Sequence, residues 1–453
     1  MSMNLQKKLT ILAIMAVFLL FSIQSVLAYS YSYSYNNTQS YSYSNTQTYG
    51  YNNTNTYTNT YTNTQTCTYN GVQVDCVTRE PINSGGSSQS DLCPALNGDF
   101  QYGRNCTYKV KNLEYKAVKI TQSYSGSYFP GGAKLEKIGH MNDAYKLVGQ
   151  SIGYDGRKYG VELQLSDNVT NVYFTLLGSY GLTSQGGGVD NYGNVVGSTQ
   201  FAWNAHEKSA SFTGSGSSYY PTSATIYGNS GFLNDVKSAR NPYPIQHRVG
   251  TEKMSDSMER GVYWSDNGYP SSSYFWKKAM LGSTGDKSSA NAVNASGKAA
   301  GEIKLSNSTV SKAVQWNPRS NSYVSLSGLG GDAAAIDLNN NKTPILVGYV
   351  KNYAGTQKAA KWKGTSLTQM PSISGMGNPN DKAHAITDAG DIVGESRGSA
   401  VIWRDGKVHN LNSILSNNIN VSLEVAEQIN RQGLIIALAD DGYYYVLLPT
   451  DHL

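Results

Sequence analysis

From about residue 134 onward the chain alternates short apolar runs with clusters of Gly, Asn, Asp and Ser. Residues 384–411, HAITDAGDIVGESRGSAVIWRDGKVHNL, carry the pattern in full. Ala385-Ile386-Thr387 reads as a strand, and Asp388-Ala389-Gly390-Asp391 as a turn in which Asp bonds backbone and Gly accepts positive φ. Ile392 to Glu395 is a second strand, Ala400 to Trp403 a third, and Val408 to Leu411 a fourth, with turns at Arg397–Ser399 and Arg404–Gly406. Four short strands joined by tight turns predict one antiparallel sheet the size of a propeller blade.

The unit recurs. A two-residue step, usually Val-Gly, falls at Val148-Gly149, Val196-Gly197, Val249-Gly250, Ala300-Gly301, Val347-Gly348 and Val393-Gly394, with Ile436-Ala437 as a degenerate seventh copy. The intervals are 48, 53, 51, 47, 46 and 43 residues. Periods of this size mark propellers or solenoids. Six residues before the step sits Asn142, Asp190, Asn294, Thr387 or Asn430; three before it sits Gly193, Gly297, Gly390 or Gly433. The third strand recurs as Gly261-Val262-Tyr263-Trp264, Ala313-Val314-Gln315-Trp316, Ala359-Ala360-Lys361-Trp362 and Ala400-Val401-Ile402-Trp403. A Trp at one fixed blade position reads as core between blades. The expected fold is therefore all-β: a seven-bladed β-propeller over residues 108–453, built from repeats of about 43–53 residues. The last unit stops one strand short, and Tyr115–Ile120 has the look of the missing strand. Pairing it with Tyr443–Leu448 would remove two exposed sheet edges.

The pattern aliphatic-Asn-x-x-Gly-x-aliphatic-Val-Gly, followed by Ala-x-x-Trp, resembles the HAF-repeat family of extracellular bacterial and archaeal proteins. The family's His-Ala-Phe run would align with the third strand, where Tyr159, Arg260, Lys312, Lys358 and Ser399 stand in place of the His. The resemblance implies export and a repeat β fold. It implies no catalytic residues.

Composition and the amino-terminal quarter add a compartment. Only 15% of the 453 residues are charged, and there are 46 Gly and 35 Tyr. The net charge of +5 includes Lys7 and Lys8, so it gives no case for nucleic-acid binding. Residues 1–28 read as a secretory signal peptide: Lys7 and Lys8, an apolar run from Leu9 to Ile23, then Val26-Leu27-Ala28. The run is shorter than the roughly 20 residues of a membrane span, so the mature chain is expected to have no transmembrane domain; retention of the segment as an anchor is the alternative. Residues 29–66, rich in Tyr, Ser, Asn and Thr, contain no Lys, Arg, Asp or Glu. With no aliphatic core such a tract is expected to be disordered, either as a spacer or, through its alternating Tyr, as a self-association segment. The only cysteines, Cys67, Cys76, Cys93 and Cys106, lie in a segment spanning 67–107. An even, local set in an exported chain reads as disulfides, with Cys67–Cys76 and Cys93–Cys106 favoured. The spacings lack the close pairs of zinc sites.

A search for chemistry returns little. No G-x-S-x-G elbow is present. His206-Glu207 lacks the second metal ligand, with Ala at 210. Asp337-x-Asn339-x-Asn341 starts like a calcium loop, but Lys342 stands where Gly is needed; an elongated first-hairpin turn is the better reading. Ser265-Asp266-Asn267-Gly268 resembles an Asp-box at the wrong spacing. The six histidines, His140, His206, His247, His384, His409 and His452, do not cluster in sequence. No catalytic residue, metal ligand or cofactor is expected. The expected function is a non-catalytic, secreted or cell-surface propeller in binding, adhesion, or envelope or matrix structure, with a glycan or envelope component as partner. The alternative is a secreted enzyme acting on a glycan or other polymer at the channel mouth.

Overall fold

A computed structural model describes residues 66–69, 72–75, 113–120, 134–153, 156–165, 172–177, 183–200, 208–213, 223–239, 245–265, 277–375 and 379–450. The chain divides into two compact units, Met1–Asp91 and Leu92–Leu453. In the first, β1 (Thr66–Tyr69) and β2 (Val72–Asp75) pair antiparallel, with Cys67 opposite Val74. Asn70-Gly71 lies between them, a dipeptide suited to a tight hairpin. Thr66, read above as the end of the polar tract, belongs to β1. The signal-peptide region, the rest of the tract, and Cys76, Cys93 and Cys106 lie outside the described residues.

The second unit is all-β among its described residues apart from one short 3-10 turn, Leu411–Ile414. The chain enters with β3 (Tyr115–Lys119). A first four-stranded sheet follows: β4 (Lys134–Met141), β5 (Lys146–Ile152), β6 (Lys158–Leu165) and β7 (Val172–Leu177). Next is a seven-stranded sheet of β8 (Ser184–Val189), β9 (Val195–Thr199), β10 (Lys208–Thr213), β11 (Ser223–Ala239), β12 (Ile245–Lys253), β13 (Glu259–Ser265) and β14 (Lys277–Met280). Three more four-stranded sheets are β15 (Lys287–Val293), β16 (Ala299–Lys304), β17 (Lys312–Asn317), β18 (Ser322–Ser325); β19 (Gly330–Leu338), β20 (Ile345–Asn352), β21 (Gln357–Lys363), β22 (Ser366–Gln369); and β23 (Lys382–Ile386), β24 (Ile392–Ser396), β25 (Ser399–Arg404), β26 (Lys407–Asn410). The last sheet is β27 (Leu423–Ile429), β28 (Ile435–Ala439), β29 (Tyr444–Pro449) and, returning from the start of the unit, β3.

Every named strand pairs antiparallel with its neighbours in the sheet, and the sheets follow one another around a ring, the arrangement of a β-propeller. Five sheets have the four strands that the repeat predicts. In the sixth, β11 is a single strand of 17 residues: Ser223–Ser230 pairs with β10 and Gly231–Ala239 with β12. The ring closes as expected from the ends, with Tyr445 opposite Lys119 and Pro449 opposite Tyr115.

Successive sheets are held by apolar layers between them. Trp316 lies with Val249 and Tyr263, Trp362 with Ala292 and Ala300, and Trp403 with Val347 and Ala359, each pairing residues of neighbouring sheets. All three Trp are buried. The indole N–H groups of Trp362 and Trp403 donate to Ser327 O at 2.8 Å and Pro371 O at 2.7 Å, which removes the cost of burying them. The repeated Trp is therefore core between sheets.

The repeated Asn explains itself in the same way. Asn142 Oδ1 accepts from the N–H groups of Ala144 and Lys146, both at 2.9 Å, and so caps its own turn. Its Nδ2 donates to Asp190 O, the equivalent residue of the next repeat, at 2.9 Å. Asn294 reaches Asn339 O, and Asn430 reaches Asn142 O across the closure. Replacing Asn142 with Ala should lower the unfolding free energy by about 2–4 kcal/mol, because buried N–H and C=O groups lose their partners. Urea unfolding checks this; a loss under about 1 kcal/mol would show that the ring of turns is dispensable.

Candidate functional site

The innermost strands carry the site. In β4, β8, β11, β15, β19, β23 and β27 the register with the following strand slips close to the turn. Such a bulge leaves a residue unpaired and re-aims it. The residues thrown out are Gly187, Asn234, Asn291, Ile336, His384 and Glu427, with Gly139 and His140 in β4. Two of them brace the ring: Asn234 Nδ2 donates to Ala290 O and Asn291 Nδ2 to Ala335 O, both at 2.8 Å.

At the turn end of these strands the centre is ionic. His140 Nδ1 lies 3.7 Å from Asp235 Oδ1, joining β4 to β11 past the intervening β8. Glycines permit this approach: a Cβ on Gly187 would sit 2.0 Å from Leu233 O, and one on Gly188 2.7 Å from the Asp235 Cα. Asp235 Oδ2 accepts Val293 N–H and Asp337 Oδ2 accepts Ile386 N–H, each from the next inner strand. Burial pushes the Asp337 carboxyl above the usual carboxylate range, against the pull of His140, the Ile386 N–H and Lys237. Lys237 occupies the position where other repeats place the capping Asn. Burial alone would depress its ammonium; the carboxylates of Asp235, Asp337, Asp143 and Asp190 hold it above the ordinary lysine range.

Further polar groups lie at and beside the same bulges on β4, β23 and β27. Both oxygens of Glu427 face the Tyr444 hydroxyl, which donates at 3.2 and 3.3 Å. Burial pushes the Glu427 carboxyl up to about 7, opposed by that hydrogen bond and by Lys137 and Lys382, and assisted by Glu395. Tyr444 is pushed strongly up by burial and by the Glu427 charge beside it. His384 Nε2 lies 3.7 Å from Glu395 Oε1; burial lowers its pKa, so the ring is neutral near pH 7. The Lys137 ammonium stands 5.7 Å from the centroid of the half-buried Phe232 ring. Neither Lys137 nor Lys382 forms an ion pair among the described residues. Glu427 of β27 thus lies within electrostatic reach of Lys137 on β4, Lys382 on β23 and Glu395 on β24, and the Phe232 ring of β11 lies beside Lys137.

The sequence reading named none of these residues as a site. The charge of Glu395 nonetheless acts on Glu427 from a different repeat. Aligning the repeats nine residues before the Val-Gly step puts Gly139, Gly187, Asn291, His384 and Glu427 in one column. That column changes chemistry while its neighbours stay uniform, and it was the available signal. Of the histidines, His140 and His384 lie on inner strands, His247 is buried against Tyr263, and His409 lies on the outer strand β26. His206-Glu207 and His452 fall outside the described residues, as do positions 266–268. The stretch from Asp337 to Asn341 is an elongated turn, with Asn339 Oδ1 accepting Ile345 N–H across six residues. Among the described residues no group of three His, Cys, Asp or Glu side chains is placed to hold a metal ion.

No protein-family model matches the chain, and no curated protein matches its sequence. Among solved structures it is similar to a mutant of the Aleuria aurantia lectin in complex with α-methyl-L-fucoside, at 15% identity over 62% of this chain and 96% of the lectin, with a TM-score of 0.35. It is also similar to Trypanosoma rangeli sialidase in complex with the inhibitor DANA, at 10% identity over 74% of this chain and 59% of the sialidase, with a TM-score of 0.35.

Proposed function

We propose that residues 108–453 form a seven-bladed, HAF-repeat-like propeller of an exported protein that binds a glycan of the cell surface or matrix without catalysis. In this reading β11 serves twice, as the outer strand of the second blade and the inner strand of the third. The tract before the propeller acts as a spacer, and Cys67, Cys76, Cys93 and Cys106 pair as two local disulfides. The observation that carries the binding reading is the grouping of Glu427 with Lys137, Lys382 and Glu395 by charge, with the Phe232 ring beside Lys137. Hydroxyl-rich ligands need donors and acceptors side by side with an apolar face, and few residue sets supply all three. A glycan array probed with the protein from residue 29 onward should show binding to a restricted set of glycans. The double variant Lys382→Ala, Glu427→Ala should lose that binding while melting normally. An array without signal would sink the reading.

One feature favours the enzymatic alternative. Glu427 is pushed up by burial to about 7, a range in which a carboxyl can serve as a general acid. New reducing ends released from a bound glycan, and lost in Glu427→Gln, would decide for the enzyme.

A further inference from the structure

We propose that the folded ring is itself an acceptor of N-linked glycans, at Asn307-Ser308-Thr309 and Asn341-Lys342-Thr343, while Asn294-Ala295-Ser296 and Asn420-Val421-Ser422 stay bare. The proposal rests on the export reading, because N-x-Ser and N-x-Thr become acceptors only in chains that leave the cytoplasm. Further sequons at Asn36, Asn52, Asn105 and Asn168 lie outside the described residues. The four described ones share a sequence signature, and the structure separates them. Transfer needs a protruding carboxamide and a backbone free to enter the transferase, so burial and hydrogen bonding decide.

Asn307 lies in the connection between β16 and β17, in a turn closed by Ser308 N–H donating to Leu305 O at 2.9 Å. Asn307 and Thr309 are exposed, and the Asn307 carboxamide has no hydrogen-bond partner among the described residues. Asn341, Lys342 and Thr343 are all exposed in the elongated turn between β19 and β20. Asn341 Nδ2 reaches Asp388 O at 3.5 Å, the outer limit of a hydrogen bond. Asn294 is the opposite case. It is 1% exposed, its Nδ2 donates to Asn339 O at 3.2 Å, and its Oδ1 accepts Lys298 N–H at 3.0 Å. The hydroxyl of Ser296, which a transferase must read, is spent on the same Oδ1 at 2.7 Å. Asn420 is exposed, but Ser422 is tied to Asp440 where β27 begins. Its N–H donates to Asp440 Oδ1 at 3.2 Å, and its carbonyl accepts Asp440 N–H at 2.9 Å. At an open site the Asn Nδ2 bonds the anomeric carbon of a lipid-pyrophosphate-linked oligosaccharide. The bond from that carbon to the pyrophosphate breaks, the lipid pyrophosphate leaves with the electron pair, and the amide gives one proton to the transferase. The sugar hydroxyls would add hydration to a chain of which only 15% of residues are charged.

The test is glycan transfer to the purified, folded protein from residue 29 onward, made in a host without N-glycosylation. Membranes holding an oligosaccharyltransferase and its lipid-linked oligosaccharide supply the enzyme and donor. Free peptides spanning each of the four sequons run beside the protein. Glycopeptide mapping should find Asn307 and Asn341 occupied and Asn294 and Asn420 bare in the folded protein, with all four peptides accepted. Asn307→Gln and Asn341→Gln should each remove one glycan and leave the melt unchanged. Refusal of the Asn307 and Asn341 peptides, a folded protein bare at both sites, or a glycan on Asn294 in protein that melts normally would overturn the inference. The full chain, made with its own residues 1–28 in a yeast secretory host, tests export separately. A chain kept bare inside the cell, although the purified protein accepts glycan, leaves the acceptor sites standing and removes the export reading. A chain that is secreted but bare at both sites does the reverse.

Discussion

Deleting residues 115–120 should abolish cooperative folding of the ring. These residues form β3 and pair along its whole length with β29. Tyr115, Ala117 and Ile120 are buried, and Ile120 N–H donates to Tyr444 O at 2.8 Å. Asn417 clamps the same strand from its side chain, accepting Ala117 N–H at 2.8 Å and donating to Ala117 O at 2.9 Å. The deletion also uncovers Tyr445 and Leu447, which share an apolar layer with Tyr115, and leaves the backbone of β29 as an open edge. Burial of the two large side chains alone is worth about 3–6 kcal/mol. With the lost hydrogen bonds, the total reaches the whole stability of an ordinary domain, about 5–15 kcal/mol. The single variant Tyr115→Ala should cost about 3–5 kcal/mol and keeps the idea testable if the deletion does not express. A circular-dichroism melt within a degree or two of the parent's for the deletion would refute strand closure as the source of stability.

Acid should destabilise the ring through His247. The side chain is fully buried, and its Nδ1 lies 2.7 Å from the Tyr263 hydroxyl. Burial, assisted by the charge of Arg319, lowers its pKa to about 4 from the ordinary 6.5. The unfolded chain therefore binds a proton that the folded chain refuses. Stability from this residue is fully present above about pH 6.5 and is lost as pH falls toward 4, by up to about 3 kcal/mol. Urea unfolding of the parent and of His247→Phe between about pH 7.5 and pH 4.5 isolates the effect, because other titrating groups cancel in the difference. The gap between parent and variant should narrow on acidification. A gap that stays constant across the window would show that His247 protonates in the folded state.

Much of this architecture was legible because repetition substitutes for an alignment. Thr387, Asp391 and Gly390 announce a turn, Trp403 announces packing between sheets, and the recurrence of both announces a ring. The closing strand could be placed because the last repeat visibly lacks one. The long β11 was less legible. Its repeat has no capping Asn, and Lys237 pairs with His247 where other repeats have already turned. The grouping around Glu427 was not legible as a unit. Period sets how far along its strand Lys137, Lys382 or Glu427 lies, but says nothing of which repeats meet across the centre. Lys137 acts on Glu427 over 290 positions only because the ring closes. The bulges are silent for a similar reason: an unpaired residue depends on the register between two strands, and the residue types thrown out range from Gly to Glu.

The continuity of β11 has a consequence for how the molecule breathes. Elsewhere a sheet can loosen at its connection to the next without disturbing its neighbour. Across Ser223–Ala239 no such connection exists, because the residues that finish one set of ladders begin the next. Amide protons of β8 to β14 should therefore exchange with deuterium through one shared opening event, at a single free energy, while the four-stranded sheets each show their own.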